Sequence, residues 1–301
     1  MRIFVDTAEL DEIKEANSWG ILDGVTTNPS LIKKAVENRQ DVDMREYIGE
    51  ICKTVAGPIS LEVIGLTAEE MVDQGQFLYE EFNPVNDNVV VKIPVNTNSA
   101  ESSGGDYEGL KALNELSERG IPTNTTLIMK PEQALLAAKA GTQYVSPFAG
   151  RIDDFIRSKV GLTRGEDYPK SAYHDSDWLR HSSYLHLKPQ YEYLEGEDLD
   201  EVLSDDEVAE VREKTNDAGI SSGAEAVASI KQIFSNYEFE TEVLAASLRN
   251  SRQVREVAEA GADVATIPFQ VLQEMLGHHK TEQGIIGFSE DVVAEYEGLF
   301  G

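Results

Sequence analysis

Along nearly the whole chain, short apolar runs of strand character alternate with amphipathic stretches of helical period. That alternation restricts the fold more than any composition figure, because it is the pattern of repeated βα units on a parallel sheet. Eight strand-like runs can be read: IFVD (3–6), DGVTT (23–27), ISLEVI (59–64), NVVVKIPV (88–95), PTNTTLI (122–128), QYVSPF (143–148), EVLAASL (242–248) and DVATIPF (263–269). Helical stretches such as TAELDEIKEANSW, PEQALLAAKAG and SRQVREVAEAG follow them, several with Ser, Thr or Pro at the start and Gly past the end. Eight such units predict an α/β (β/α)8 TIM barrel, read as one domain over 1–301, with its site at the C-terminal strand ends.

Two stretches exceed a minimal barrel. A polar Gly/Ser-rich loop, about 96–107, follows the fourth strand, and a longer insertion, about 157–221, separates strand six from its helix. In the latter, Ser204 and Glu207 stand at capping-box spacing. Both leave C-terminal strand ends, so both are expected over or beside the site.

One residue in this frame is out of place. Lys92 lies within the apolar run NVVVKIPV, on the strand face shared by Val90 and Pro94. A buried ammonium loses several kcal/mol of hydration unless it is paired or deprotonated. A desolvated lysine titrates lower, and its neutral amine attacks carbonyls to give Schiff bases. The plainer reading is a lysine that snorkels to water or pairs with a carboxylate.

Polar residues recur at late positions of the other strands, where an inert barrel would carry apolar filling. They are Asp6, Thr26, Asn28, Glu62, the pair Asn124 and Thr126, Ser146 with Phe148, and Ser247 with Arg249. Any one of them is ordinary, whereas seven strands agreeing on one end, that of Lys92 included, form a constellation. It sets carboxylates and hydroxyls around an amine, as acid–base steps of Schiff-base chemistry require.

Charge removes other classes of function. The 301 residues carry 55 acidic and 26 basic side chains, a net −29, which repels nucleic acid and anionic membrane. Acids spread through the helices suit a salt-rich cytoplasm, where screening relieves self-repulsion. No apolar run approaches the ~18 residues of a membrane helix. The start MRIFVDTAELDEIKE lacks signal-peptide features, and the single Cys52 excludes an internal disulfide, so a cytoplasmic location is expected.

The segments FVDTA, GVTTNPSLI, SLEVI, VVVKIPV, TNTTLI, YVSPFAGRIDD, AASLRNSRQV and ATIPFQVL stand in the order seen in the transaldolase family, and resemble its short branch. The resemblance covers roughly 1–95, 106–156 and 222–300 and leaves both insertions outside. It implies that Lys92 forms a Schiff base with a ketose phosphate and that Asp6 is the acid–base group for carbon–carbon cleavage. It further implies that Glu62 and Thr126 hold a catalytic water. Thr26, Asn28, Asn124, Ser146 and Phe148 would face the sugar, while Ser247, Arg249 and Arg151 would hold the phosphate. Arginine offers a planar fork for phosphate oxygens, although a strand-end arginine is as readily a salt-bridge partner. Fructose-6-phosphate aldolases, which this chain also resembles, carry tyrosine at the position of Phe148 and glutamine at that of Glu62. Phenylalanine has no proton to deliver, which favours transfer of a dihydroxyacetone unit over its release. An aldolase, a donor such as a sulfonated ketose, and a non-catalytic sugar-phosphate-binding barrel stay open as alternatives.

No cofactor and no metal are expected. No Gly-rich phosphate loop occurs, and His174, His181 and His186 fit no compact ligand motif. His278 and His279 are read as the end of a helix. The last helix, EDVVAEYEGLF, is expected either to dock on a neighbouring subunit of a homo-oligomer or to close the barrel floor.

Overall fold

The computed structural model describes residues 1–37, 42–98, 106–191 and 206–300. Eight parallel strands close a barrel in chain order: β1 (Arg2–Asp6), β2 (Gly24–Thr26), β3 (Ile59–Glu62), β4 (Val89–Pro94), β5 (Thr123–Ile128), β6 (Tyr144–Pro147), β7 (Glu242–Ala245) and β8 (Val264–Ile267). Pairing of β1 with β8, from Arg2 opposite Val264 to Val5 opposite Ile267, completes the ring. The predicted (β/α)8 barrel is the observed one.

Period-two alternation sorts each strand. Val5, Val25, Ile59, Val91, Ile93, Val145, Val243 and Ile267 point outward into the helical layer and are buried. Each such side chain contributes about 1.5–3 kcal/mol on burial, so the outer seam holds the barrel together and the inner face is free to carry polar groups. The inner face is apolar toward its N-terminal end, where Phe4, Val90, Tyr144, Leu244 and Val264 pack together. Gly24 lies opposite Phe4, and a Cβ there would come within 2.6 Å of the Phe4 ring, so glycine makes room for the aromatic plug.

Local signals set the helix starts. Helix α1 (Leu10–Ser18) follows β1; α2 (Pro29–Val36) is capped by Asn28, α3 (Met44–Thr54) by Asp43, and α4 (Ala68–Asn86) by a Thr67/Glu70 capping box. Helix α5 (Glu108–Glu118) and α6 (Pro131–Lys139) follow β4 and β5. After β6 the chain turns straight into α7 (Ala149–Lys159), and the helix Gly223–Asn236 then packs beside α6 and α7 in the outer ring. Helices Ser176–Tyr191 and Asp206–Lys214 lie between the two, where the long insertion was expected. Leu179 joins Ile152, Ile156 and Ala226 in a small core that anchors it. Ser204 and most of the 96–107 loop lie outside the described residues.

Several expectations are corrected. The strands end earlier than their apolar runs, so Asn28, Phe148, Ser247 and Arg249 stand just past β2, β6 and β7. The apolar letters continue there because the chain stays buried while it turns. His278 opens a helix rather than ending one: its Nδ1 accepts from the Lys280 amide, 3.1 Å away, at the start of His279–Glu290. The final helices, His279–Glu290 and Ala294–Glu297, bury no residue and leave Phe288 and Phe300 about three-quarters exposed (75% and 76%), so they do not close the barrel floor. Among the described residues no helix is long and apolar enough to cross a membrane.

Candidate active site

Lys92 sits in the middle of β4, in register with Glu62 of β3 and Asn124 of β5, and is 5% exposed. Its Nζ lies 2.9 Å from Glu62 Oε2 and donates to the Thr27 carbonyl at 3.2 Å. The amine is therefore paired with a carboxylate, as the plainer reading proposed, yet the pairing happens inside the barrel. That arrangement keeps a proton acceptor against the amine, which a lysine in solvent lacks.

Asp6 ends β1 nearby. Burial pushes its carboxyl above the ordinary 3.8, opposed by the charges of Lys92 and Lys170 and by a hydrogen bond from Thr26, while Glu62 adds to the rise. Thr26 Oγ1 donates to Asp6 Oδ1 at 2.8 Å and meets Thr266 Oγ1 at 2.5 Å. A hydroxyl has one proton, so while Asp6 is ionised Thr26 spends its own on the carboxylate and Thr266 must donate to Thr26. When Asp6 takes up a proton both bonds can reverse. Thr266 was absent from the sequence candidates, although its late place on β8 is the signal that found the others.

Asn124 and Ser146 form a layer beneath. Ser146 Oγ donates to Asn124 Oδ1 at 2.7 Å, and Asn124 Nδ2 donates to Ser60 Oγ at 3.1 Å. Asn124 and Thr126 are wholly buried and do not line the open cavity. Thr126 Oγ1 has no partner among the described residues, an unmet donor in register with Pro94, two residues past Lys92. A register irregularity follows it between β5 and β6, with Leu127 in the left-handed region at φ 61°. Ser247 repeats that conformation at φ 61° beyond β7. Non-glycine residues there carry strain, and such positions gather at functional sites. No side-chain pattern announces either one.

The cavity mouth is basic. Arg151 lies over the Phe148 ring at 5.0 Å, and Arg249 is buried with Nε and Nη1 unpaired among the described residues. Gly150 permits this: a Cβ there would meet the Ser247 carbonyl at 2.2 Å and Arg249 Nε at 2.5 Å. Burial lowers the Arg249 pKa, Asp154 opposes that, and Arg164 and Arg151 reinforce it. One cavity of 1170 Å³ is lined by ten of the twelve candidates: Lys92, Asp6, Glu62, Thr26, Asn28, Ser146, Phe148, Arg151, Ser247 and Arg249. Asp154, Arg164, Lys170 and Thr266 line it too and escaped the sequence reading. His174, by contrast, contacts the Ser221 carbonyl at 3.0 Å outside this cavity, and the described residues hold no group of three metal-ligand side chains.

A closed parallel barrel whose C-terminal mouth gathers a buried amine, three carboxylates and three arginines around one cavity defines a (β/α)8 barrel of the lysine-bearing kind. A sequence model of the transaldolase/fructose-6-phosphate aldolase family matches residues 3–174 and 204–299, and the chain belongs to that family. The match takes in most of both supposed insertions, so within 3–299 only residues 175–203 stand apart from the family pattern. A probable transaldolase of Hydrogenobaculum sp. is 40% identical over 97% of this chain and 96% of its own length. Those of Caldicellulosiruptor saccharolyticus and Aquifex aeolicus are 40% and 38% identical, each over 97% of this chain and 96% of theirs.

Proposed function

We propose that this protein is a class I transaldolase that moves a dihydroxyacetone unit from a ketose phosphate to an aldose phosphate through a Schiff base on Lys92. The observation that carries the reading is the Lys92–Glu62 pair at 2.9 Å in the cavity that Asp6 also lines. Proton transfer along that contact leaves Lys92 neutral, and its lone pair adds to the C2 carbonyl of the ketose. Glu62 then returns a proton as the carbinolamine loses water, which gives the imine. Asp6 removes the C4 hydroxyl proton, the C3–C4 bond breaks, and the electron pair is held as an enamine while the aldose departs. Attack of the enamine on an incoming aldehyde, reprotonation from Asp6 and hydrolysis at the imine carbon complete the transfer. Thr126, with its unpaired hydroxyl, and Glu62 are the groups we assign to the hydrolytic water. Thr26, Asn28 and Ser146 are assigned to the sugar hydroxyls, with Asn124 holding Ser146 in place. Ser247, Arg151 and Arg249 are assigned to the phosphate.

Transfer is favoured over release because Phe148, at the mouth beside Arg151, offers the enamine no proton. With fructose 6-phosphate alone, glyceraldehyde 3-phosphate should appear only as a single turnover. Adding an acceptor aldose phosphate should start continuous release. Continuous release without acceptor would make the protein an aldolase. The reading includes a cytoplasmic homo-oligomer, one domain per chain, whose exposed apolar C-terminal helices meet a neighbouring subunit; sedimentation as a monomer would remove that part. It also includes adaptation to salt, given the net charge of −29. Melting temperature should therefore rise with molar salt.

A further inference from the structure

The anion-binding end of the cavity contains a carboxylate, which is unexpected where a negative group is to be received. Asp154, on α7, pairs through Oδ2 with Arg249 Nη2 at 2.7 Å and with Arg164 Nη1 at 3.1 Å. Its Oδ1 accepts from the Tyr168 hydroxyl at 3.1 Å. One carboxylate thus ties the exit of β7 to the segment that follows α7. The segment has its own support: the Gly165 amide donates to the Tyr168 carbonyl at 2.8 Å, and the Arg157 guanidinium stacks over the Tyr168 ring at 4.3 Å.

Charge counting makes the arrangement informative. Of the arginines at this end, Arg151 and Arg249 set against Asp154 leave one net positive charge, with Arg157 Nη1 a further 3.9 Å from Asp154 Oδ1, whereas a phosphate ester carries about −1.5 to −2 near neutrality. Arg164 adds a further positive charge at that carboxylate, and Lys170 lines the same cavity. Two buried donors of Arg249, Nε and Nη1, have no partner among the described residues, so the site is built for more acceptors than it holds. The Arg164 side chain is 46% exposed and can leave Asp154 for an arriving anion without unpacking the core.

Resting on the sugar-phosphate reading above, we propose that Arg164 is a third cationic contact for the anionic terminus of the substrate and that Asp154 positions it against Arg249. The ligand chemistry is a phosphate or sulfonate monoester-type terminus, recognised by guanidinium forks.

Calorimetric titration of the full-length protein with inorganic phosphate tests this without passing through catalysis. Arg164→Ala, and the bulkier Arg164→Gln, should each weaken phosphate binding about tenfold, the loss of one charge-assisted contact at a part-exposed site. In an Asp154→Asn background, Arg164→Ala should weaken it by less than about threefold, because contacts sharing a partner are not additive. Binding within about twofold of the parent for both Arg164 variants would overturn the proposal and leave the Arg164–Asp154 pair a loop tether. An equal loss in both backgrounds would remove Asp154 from it. Borohydride capture of dihydroxyacetone, which has no anionic group, is the parallel measurement. Failure of capture at Lys92 counts against the Schiff-base reading alone, whereas unchanged phosphate binding counts against Arg164 alone.

Discussion

The two ends of this barrel carry comparable polar residues and use them in opposite ways. At the N-terminal end Arg2 is paired with Glu242, and its guanidinium lies 5.8 Å from the centre of the Tyr144 ring and 6.0 Å from that of Phe4. Burial raises the Tyr144 hydroxyl pKa there, opposed by Arg2, and the Phe4 and Tyr144 rings meet edge-on at 6.4 Å. That end is a sealed plug. At the C-terminal end Lys92 and Glu62 are paired as well, but beside them Asp6 is held above its ordinary range, and Thr126 Oγ1 and Arg249 Nε and Nη1 lie unpaired among the described residues. Among the described residues the first end leaves one buried acceptor unmet, Asn88 Oδ1, whereas the second leaves donors unmet beside a buried carboxyl. Unmet donors gathered on one cavity with a perturbed carboxyl, more than polarity, distinguish the site.

Substituting across that divide should separate stability from activity. The largest effect is expected at Asp6: Asp6→Asn should lower turnover by about 10²–10⁴, the usual contribution of a positioned acid–base group. Stability should move the other way. The Asp6 pKa is raised on folding, so its contribution is fully present below the ordinary 3.8 and is lost as pH rises through the folded value. At pH 7, well above the ordinary 3.8, keeping this carboxyl buried is a cost, and Asp6→Asn should melt a few degrees higher than the parent. That advantage should vanish below the ordinary 3.8. A lower melting temperature at pH 7 would show that Asp6 is a structural anchor.

A smaller effect is expected at Thr266. Thr266→Val removes the donor that frees the Thr26 proton for Asp6, so the acid limb of the pH–rate profile should move to higher pH, with turnover on that limb down about tenfold. Thr266→Ser should restore the profile. A uniform loss without movement of the limb would reduce Thr266 to packing. The smallest effect should come from the other end: Arg2→Met should cost no more than about 1 kcal/mol, as the pair with Glu242 is a third exposed, and should leave turnover within about twofold. A turnover loss there matching that of Thr266→Val would erase the distinction between the ends.

Much of this was legible in the sequence because two rules coincide in a barrel. Period-two alternation fixed which side chains of IFVD, VVVKIPV and TNTTLI face inward, and position along the strand fixed which end they occupy. Lys92, Asp6, Glu62 and Thr26 follow from those two rules alone. Residues beyond strand ends are less readable, since no period governs a turn: Ser247 and Arg249 read as strand yet lie past β7, and the left-handed Leu127 is invisible in a string of apolar and hydroxyl letters. Asp154 and Arg164 were out of reach for another reason. Their role depends on a segment folding back from beyond α7 onto the cavity, and ten positions of sequence separation do not predict an ion pair at 3.1 Å. The C-terminal helices show the converse, since amphipathic letters announce an apolar face without saying what covers it.

Reductive capture of a ketose on the protein addresses the role of Lys92 most directly. Borohydride added with fructose 6-phosphate, followed by peptide mapping, should place one reduced sugar adduct on the peptide containing Lys92. None should form in Lys92→Arg, whose guanidinium stays protonated. Capture at any other lysine, or equal capture in Lys92→Arg, would contradict it.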